Sequence, residues 1–402
     1  MNDTSKLPKD FFKQFNSRDS FQSFFNDLFK QGIEEMLKAE LDEHLGYEKH
    51  SKEGYGTGNS RNGSYPKTIK TDNLGDVILN IPRDRKGDFE PQIIPKGHTI
   101  SETLENAITG MYSRGMTTGD ITDQVKEFYG VNVSEGTISN ITNRMLGVIN
   151  EWQNRPLESV YFTVWMDGIV IKVKQNGKYI NKCIFIVIGL KNDGIKEVLG
   201  LWISETESAS FWMTVLTDLK ARGVKDILIA CTDNLAGFTQ AIVAVFPLTV
   251  TQLCVVHQIR NSCKFVVYKD RRDFCSDLKN IYNAINLEQA EKALVAMDLK
   301  WGTKYKYAIK SWQENWLNLI PFFDYPLEMR KLIYTTNTIE NLNRGIRKYT
   351  KTKVQFVDDN AVKKAVYLAI MNIEKKWNKP ISGWGLILHQ FLTIFEKRCK
   401  LN

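Results

Sequence analysis

The chain has 402 residues, with 54 Lys and Arg against 46 Asp and Glu, a formal charge of +8. Hydrophobic residues at 43% and charged residues at 25% are globular proportions, which exclude a largely disordered chain, a collagen-like repeat or a disulfide scaffold. At roughly 100–200 residues per domain, this length divides into about two to four domains, each able to bury a core.

The start, MNDTSKLPKDFFKQF, holds no apolar stretch of signal-peptide length. No run approaches the roughly 18 apolar residues of a membrane span, so a cytosolic protein without a membrane partner is expected. The next segment places Phe21, Phe24, Phe25, Leu28, Phe29, Ile33, Met36, Leu37 and Leu41 at helical spacing. Asp19 or Ser20 is the expected cap and Gly46 the stop. Its apolar face fits packing within its own domain and a helix-mediated dimer contact equally well. GYGTGNSRNGSYP then reads as a loop, followed by short β-type runs at Thr68–Thr71 and Val77–Ile81.

From Ser101 to Leu146 the pattern is three helices. The first covers Glu102–Tyr112, and the second starts at Thr117 or Thr118 with Ile121, Val125 and Phe128 on one face. A turn at Gly130 follows, and Ser134 caps a third helix carrying Ser139, Asn140, Asn143 and Arg144. That outline suits a helix-turn-helix, whose polar helix enters the major groove, where Ser, Asn and Arg reach base edges or phosphates. On spacing alone it suits a plain three-helix bundle as well.

Three β-rich runs begin at Val160, joined at Asn176-Gly177 and Asn192-Asp193-Gly194, which are hairpin signals for antiparallel strands. A helix, the strand DILIACTD, another helix and the apolar run LTVTQLCVVH complete the order βββαβαβ. This order predicts an RNase H-like mixed sheet covered by helices. His257–Tyr334 is helical and aromatic, a long helix spans about Asn337–Tyr349, and two amphipathic helices follow from Asp358. The six cysteines lack C-x-x-C spacing and read as buried reduced thiols.

Asp167 interrupts an apolar strand, VWMDGIVI, and Asp233 ends the fourth strand at its carboxyl edge. A buried lone carboxylate is costly, and carboxyl ends of strands are where α/β sheets hold ligands. In the predicted order these strands are neighbours. Adjacent carboxylates favour a divalent cation, and oxygen ligands select Mg²⁺, with Mn²⁺ as substitute, over zinc. A third ligand is available in TTNTIENLNRGIRKYTK, where Glu340 shares a face with Arg344 and Arg347, and Lys348, Lys351 and Lys353 follow. Alone, Glu340 reads as an i, i+4 pair with Arg344; the two acidic strand positions favour the metal reading.

These residues carry a resemblance. DEHLGYEKH, RNGSYPKTIKT, IPRDRKGDFEPQIIPK, YSRGMTTGDI with VNVSEGTISNIT, WMDGI, CTDN, QLCVVHQIRNS and YTTNTIENLNRGIRK occur in order. Together they resemble the mutator-type transposases of bacterial insertion sequences, the insertion sequence 256 family, nearly end to end. The resemblance implies a DDE recombinase with Asp167, Asp233 and Glu340 as metal triad, an all-helical insertion before the glutamate, and phosphate contact by Arg347. It matches Cys254 and His257 to a C-x-x-H signature, which has no second pair to complete a zinc finger. By their own setting, Cys254 reads as a buried strand residue. His257, with Gln258 and Arg260, reads as a polar group that binds DNA or steadies an Asp. Asn234 stands where some members have Gly.

The resulting expectation is a multidomain α/β chain. Residues 1–53 form a helical segment, 54–100 a loop and short-strand linker, and 101–150 the helix-turn-helix. Residues 158–256 form the first part of the RNase H-like core, 257–333 the insertion, 334–356 the final core helix, and 357–402 a helical tail. The implied activity is cleavage at the terminal inverted repeats of a bacterial element and joining of the 3′-OH to target DNA. The route implied is copy-out through a circle, performed near the nucleoid by a homodimer or higher oligomer. Trp301, Trp312 and Trp316 either stack on unpaired bases or fill the helical core, and burial statistics favour the second. A DNA-binding regulator without catalysis and a nuclease or resolvase of the same fold are the rival readings.

Overall fold

The structure is a computed structural model that describes residues 10–71, 75–206, 208–334, 337–351, 353 and 355–399; Thr335 and Thr336 of the glutamate-bearing motif lie outside the described residues. The chain forms two compact units. One runs to Tyr112 and includes Met116–Thr142; the other holds Ser113–Gly115 and everything from Asn143 onward.

In the first unit, helix α1 (Arg18–Leu45) is capped by Ser17, not by Asp19 or Ser20. Ser17 Oγ accepts the Ser20 N–H, and Ser20 Oγ accepts the Ser17 N–H in return, satisfying two orphan donors. Gly46, at φ 79°, ends the helix. Strands β1 (Arg61–Thr71) and β2 (Gly75–Asp84) pair antiparallel, and Leu37 of α1 packs with Ile69, Val77, Leu79 and Ile81. Strand β1 starts well inside the segment expected to be loop. Pairing of Ser64, Tyr65 and Pro66 with Pro82, Ile81 and Asn80 overrides the weak β propensity of Gly, Asn and Ser, with an irregularity between Arg61 and Ser64.

Helices α2 (Glu102–Ser113), α3 (Thr118–Tyr129) and α4 (Glu135–Asn154) follow; Thr117 caps α3, and Ser134 Oγ accepts the Thr137 N–H as the expected cap of α4. Gly130 takes φ 65° at the stop of α3. Phe128 departs from expectation. It is 67% exposed, while Val131 and Val133 in the turn beyond it are buried with Ile121 and Val125.

The second unit is a mixed sheet in the order β5-β4-β3-β6-β7. Strands β3 (Val160–Gln175), β4 (Lys178–Leu190) and β5 (Lys196–Ser204) form the antiparallel part. Asn176 and Gly177, at φ 49° and 78°, make the β3–β4 turn, a conformation that requires residues tolerant of positive φ. Strand β6 (Asp226–Thr232) runs parallel to β3, and β7 (Val250–Leu253) parallel to β6. Helices α5 (Ala209–Ala221) and α6 (Phe238–Val245) cover one face, where Trp212 stacks on Phe238 with centroids 4.4 Å apart.

Strand β7 is shorter than its apolar run. The chain turns into α7 (Val255–Cys263) at Cys254, which is therefore a buried helix cap and not a strand residue. Helices α8 (Tyr268–Tyr282), α9 (Leu287–Trp301), α10 (Lys306–Glu314), α11 (Trp316–Leu319) and α12 (Leu327–Ile333) continue the helical stretch. Trp301 and Trp312 are buried there, their indole N–H groups donating to Asp277 and Ser262 at 2.8 and 2.9 Å, and Trp316 is partly buried. These are packing residues, as a large ring with one satisfied donor usually is.

Helix α13 (Asn337–Thr350) then lies beside β3, covered by α14 (Asp359–Glu374). Helix α15 (Trp384–Phe395) places Trp384 and Phe391 against Phe162 of β3. Cys183, Cys231, Cys254 and Cys399 are buried thiols, and Cys263 and Cys275 sit 3.3 Å apart, sulfur to sulfur, half-buried. Among the described residues, no helix is long and apolar enough to cross a membrane.

Candidate active site

Residues 160–166 of β3 are buried, as the middle strand of a covered sheet requires, and burial eases at Asp167. The β3–β6 register pairs Trp165 with Cys231; carried two residues on, it sets Asp167 level with Asp233. Both carboxylates thus leave the sheet at the same edge. The Asp167 carboxylate accepts the Gly168 N–H on Oδ1 at 2.8 Å and the Asn343 amide on Oδ2 at 2.7 Å. Burial pushes its pKa up to about 6; the charge on His257 and the Gly168 bond oppose this, and repulsion from Asp233 and Glu340 adds to it. Burial likewise raises Asp233, against the charge on His257. Asp233 Oδ1 is buried and has no hydrogen-bond partner among the described residues.

Glu340 sits in the first turn of α13, where the positive end of the helix dipole favours an anion. Its side chain is 13% exposed and is gripped by Arg260 of α7. Nη1 donates to Oε1 at 2.6 Å and Nη2 to Oε2 at 2.8 Å, the parallel fork of a bidentate pair. His257 Nε2 lies 3.4 Å from Oε1. Its pKa is pushed up to about 9, first by hydrogen bonding to Cys254 and, against burial, by the charges of Cys254, Asp167 and Glu340.

Asp167, His257, Arg260, Glu340, Asn343, Arg344 and Arg347 line one cavity of about 360 Å³. A wider groove of about 790 Å³ shares Arg344 and Arg347 and continues past Lys348, Lys351 and Lys172 over Ile169, Ile171 and Phe356. Lys353 lines it too but is largely withdrawn from solvent. Burial first, then the charge of Lys364, pushes its pKa down to about 8, so the basic run after Glu340 is less uniformly exposed than its sequence suggests.

The structure therefore places Asp167, Glu340, His257, Arg260, Arg344 and Arg347 on one cavity, with Lys348 and Lys351 on the groove beyond it and Asp233 level with Asp167 on the adjoining strand. His257 and Arg260, for which DNA contact or, for His257, steadying an Asp was expected, here lie against Glu340, because a half-buried carboxylate draws the nearest cations. Ser139, Asn140, Asn143 and Arg144 lie on α4. Ser139 is half-buried, Asn140 and Arg144 are exposed, and Asn143 Oδ1 is committed to the buried Lys364 ammonium at 2.8 Å. Asn343 escaped the sequence reading. Its signal was its place one helical turn beyond Glu340, where i and i+3 share a face.

Carboxylates are hard oxygen donors, and among the described residues the buried acceptor Asp233 Oδ1 lacks a donor, so by donor chemistry Asp167, Asp233 and Glu340 suit a Mg²⁺-type cation. Cys254, His257 and Glu340 also hold ligand atoms within 4.8 Å of one another. There, however, both Glu340 oxygens are taken by Arg260.

Fold and site together define a mixed α/β protein with a carboxylate centre under an arginine rim. The chain belongs to the Mutator family of transposases, whose profile ("Transposase, Mutator family") matches residues 4–380. The transposase for insertion sequence element ISRM3 of Rhizobium meliloti (strain 1021) is 43% identical over 93% of this chain and 92% of its own length. The transposase for IS905 of Lactococcus lactis subsp. lactis (strain IL1403) is 34% identical over 94% and 96%. That for IS256 in transposon Tn4001 of Staphylococcus aureus is 29% identical over 79% and 82%. Among solved structures, a chain of the simian T-cell lymphotropic virus intasome bound to a PP2A regulatory subunit aligns at 12% identity. It covers 50% of this chain and 67% of that one with a TM-score of 0.18, too loose a superposition to bear on the fold.

Proposed function

We propose that the chain cuts and joins DNA for its insertion sequence, with Asp167, Asp233 and Glu340 as a metal-binding triad on an RNase H-like core. The observation that carries this is that Asp167 and Glu340 line one cavity rimmed by Arg344 and Arg347, with Asp233 level with Asp167 on the adjoining strand. Carboxylates that repel each other in a half-buried crevice are poised for divalent cations.

In this reading Arg344 and Arg347 seat the phosphodiester, and Lys348 and Lys351 extend the track along the groove. The Gly168 N–H and the Asn343 amide keep the Asp167 carboxylate oriented. When bound by the triad, two Mg²⁺ ions (or Mn²⁺) activate the attacking oxygen and stabilise the leaving one. A water oxygen displaces the 3′ oxygen at each end, and the freed 3′-OH attacks a phosphorus of target DNA and expels the target strand's own 3′ oxygen, without a covalent enzyme intermediate.

Recognition of the terminal inverted repeats falls to a helix-turn-helix formed by α3 and α4, with Ser139, Asn140 and Arg144 as readers and Asn143 anchored to Lys364. A homodimer or larger assembly on DNA, acting in the bacterial cytoplasm at the nucleoid and proceeding copy-out through a circle, completes the proposal. The exposed apolar side of α1 supports the dimer. The test is Asp167→Asn with Mg²⁺ and a labelled end duplex. Cleavage falls by roughly 10²–10³-fold or more while end binding holds. Unchanged cleavage removes the triad.

A further inference from the structure

We propose that Arg260 is a positioning residue that keeps Glu340 out of metal coordination until a DNA phosphate draws its guanidinium away. The proposal rests on the reading of Glu340 as a metal ligand and adds a condition under which it becomes one.

The three carboxylates are held in different ways. Both Asp167 oxygens accept neutral N–H donors, which leave lone pairs for a cation. Asp233 Oδ1 is buried without a donor among the described residues. Glu340 alone of the three has a full positive charge forked across both oxygens, at 2.6 and 2.8 Å. A guanidinium and a divalent cation cannot both hold those oxygens, because like charges at such range repel strongly in a partly dry site.

Arg260 is also the partner able to leave. Its side chain is 55% exposed, while Glu340 is 13% exposed at the base of α13. Arg260, Arg344 and Arg347 line the same cavity, so a phosphate seated by the latter two lies within reach of the first. Phosphate oxygens offer the guanidinium the same bidentate geometry that Glu340 does. His257 makes a weaker contact with Glu340, a single Nε2 approach to Oε1 at 3.4 Å against the two short bonds of the Arg260 fork. Metal loading is thereby linked to occupancy by DNA. Without a phosphodiester in place the centre stays incomplete.

The test is a Mn²⁺ titration of the full chain, followed by electron paramagnetic resonance, with and without a short duplex of arbitrary sequence at low salt. Without DNA, Arg260→Gln binds Mn²⁺ about tenfold tighter than the wild type, within the usual range of coupling between linked sites. The duplex tightens the wild type by a similar factor and the variant little. Glu340→Gln placed on top of Arg260→Gln removes the gain. Arg260→Lys, which keeps the charge but loses the fork, falls between. Equal Mn²⁺ affinity for wild type and Arg260→Gln without DNA overturns the proposal. Asp167→Asn separates the two ideas: if it weakens Mn²⁺ binding in both backgrounds the triad stands, and if it weakens neither, the metal reading itself fails.

Discussion

Along α1, Phe25, Leu28, Phe29 and Met36 are 37%, 52%, 41% and 52% exposed, whereas along α13 Ile339, Leu342 and Ile346 are at most 1% exposed. Both helices carry an apolar stripe at helical spacing, and the stripe alone does not distinguish them. The difference is coverage. Helix α13 is closed in by β3 and α14, while in its own unit, among the described residues, the β1–β2 hairpin core packs on α1 at Leu37 and Ile33. A fully covered helix can hold its polar face in a fixed orientation, and that is the face that carries Glu340, Arg344 and Arg347. Periodicity reports which side is apolar; a neighbouring element decides whether that side stabilises anything.

The contrast can be broken first by truncation. Leu342→Ala should cost about 2–5 kcal/mol, read from the urea midpoint, and Leu28→Ala no more than about 0.5 kcal/mol. Equal losses would show that the exposed stripe of α1 is covered in solution. The next largest effect concerns α14, the cover of α13. Burial pushes the pKa of Glu374 up to about 7, with the Val198 N–H on Oε1 at 2.6 Å opposing. A folded pKa above the unfolded value means that stability is fullest below the ordinary carboxylate range. It is lost as pH rises through about 7. Glu374→Gln keeps the acceptor and removes the charge. Its Tm should be higher than the wild type's at pH 8, by the equivalent of about 1–3 kcal/mol, with no gain at pH 4.

A smaller effect tests the closeness of α13 and α14. A Cβ at Gly345 would meet Ile373 Cδ1 at 2.6 Å. That methyl is the tip of a side chain able to rotate, so Gly345→Ala should cost about 1 kcal/mol, the packing loss outweighing the gain in helix propensity. Pairing it with Ile373→Val should recover part of the loss, whereas full additivity would place the clash elsewhere. The smallest effect is on the polar face. Arg347→Ala should lower the slope of log K against log salt for duplex binding by about 1, and an unaltered slope removes its phosphate contact.

Much of the fold was legible because it is local. Hairpin turns announce themselves at Asn176-Gly177, helix starts at Thr117 and Ser134, and buried strands in the runs around Asp167 and Cys183. Asp167 and Asp233 stood out because a carboxylate in or just after an apolar strand contradicts its surroundings. The misreadings share a cause. Strand β1 began early because a partner strand paired with it, Phe128 turned outward because Val131 and Val133 are buried in the turn beyond it, and β7 gave way to a helix at Cys254.

The sequence by itself determined most element types and the family, and it singled out Asp167, Asp233 and Glu340, since each depends on short-range pattern or on the order of motifs. Only the tertiary structure decided who partners them. Arg260 grips Glu340 across 80 residues of chain, and Asn343 holds Asp167 across 176. Such contacts follow from how sheet and helices pack, and no local periodicity encodes a distance between residues that the chain itself keeps far apart.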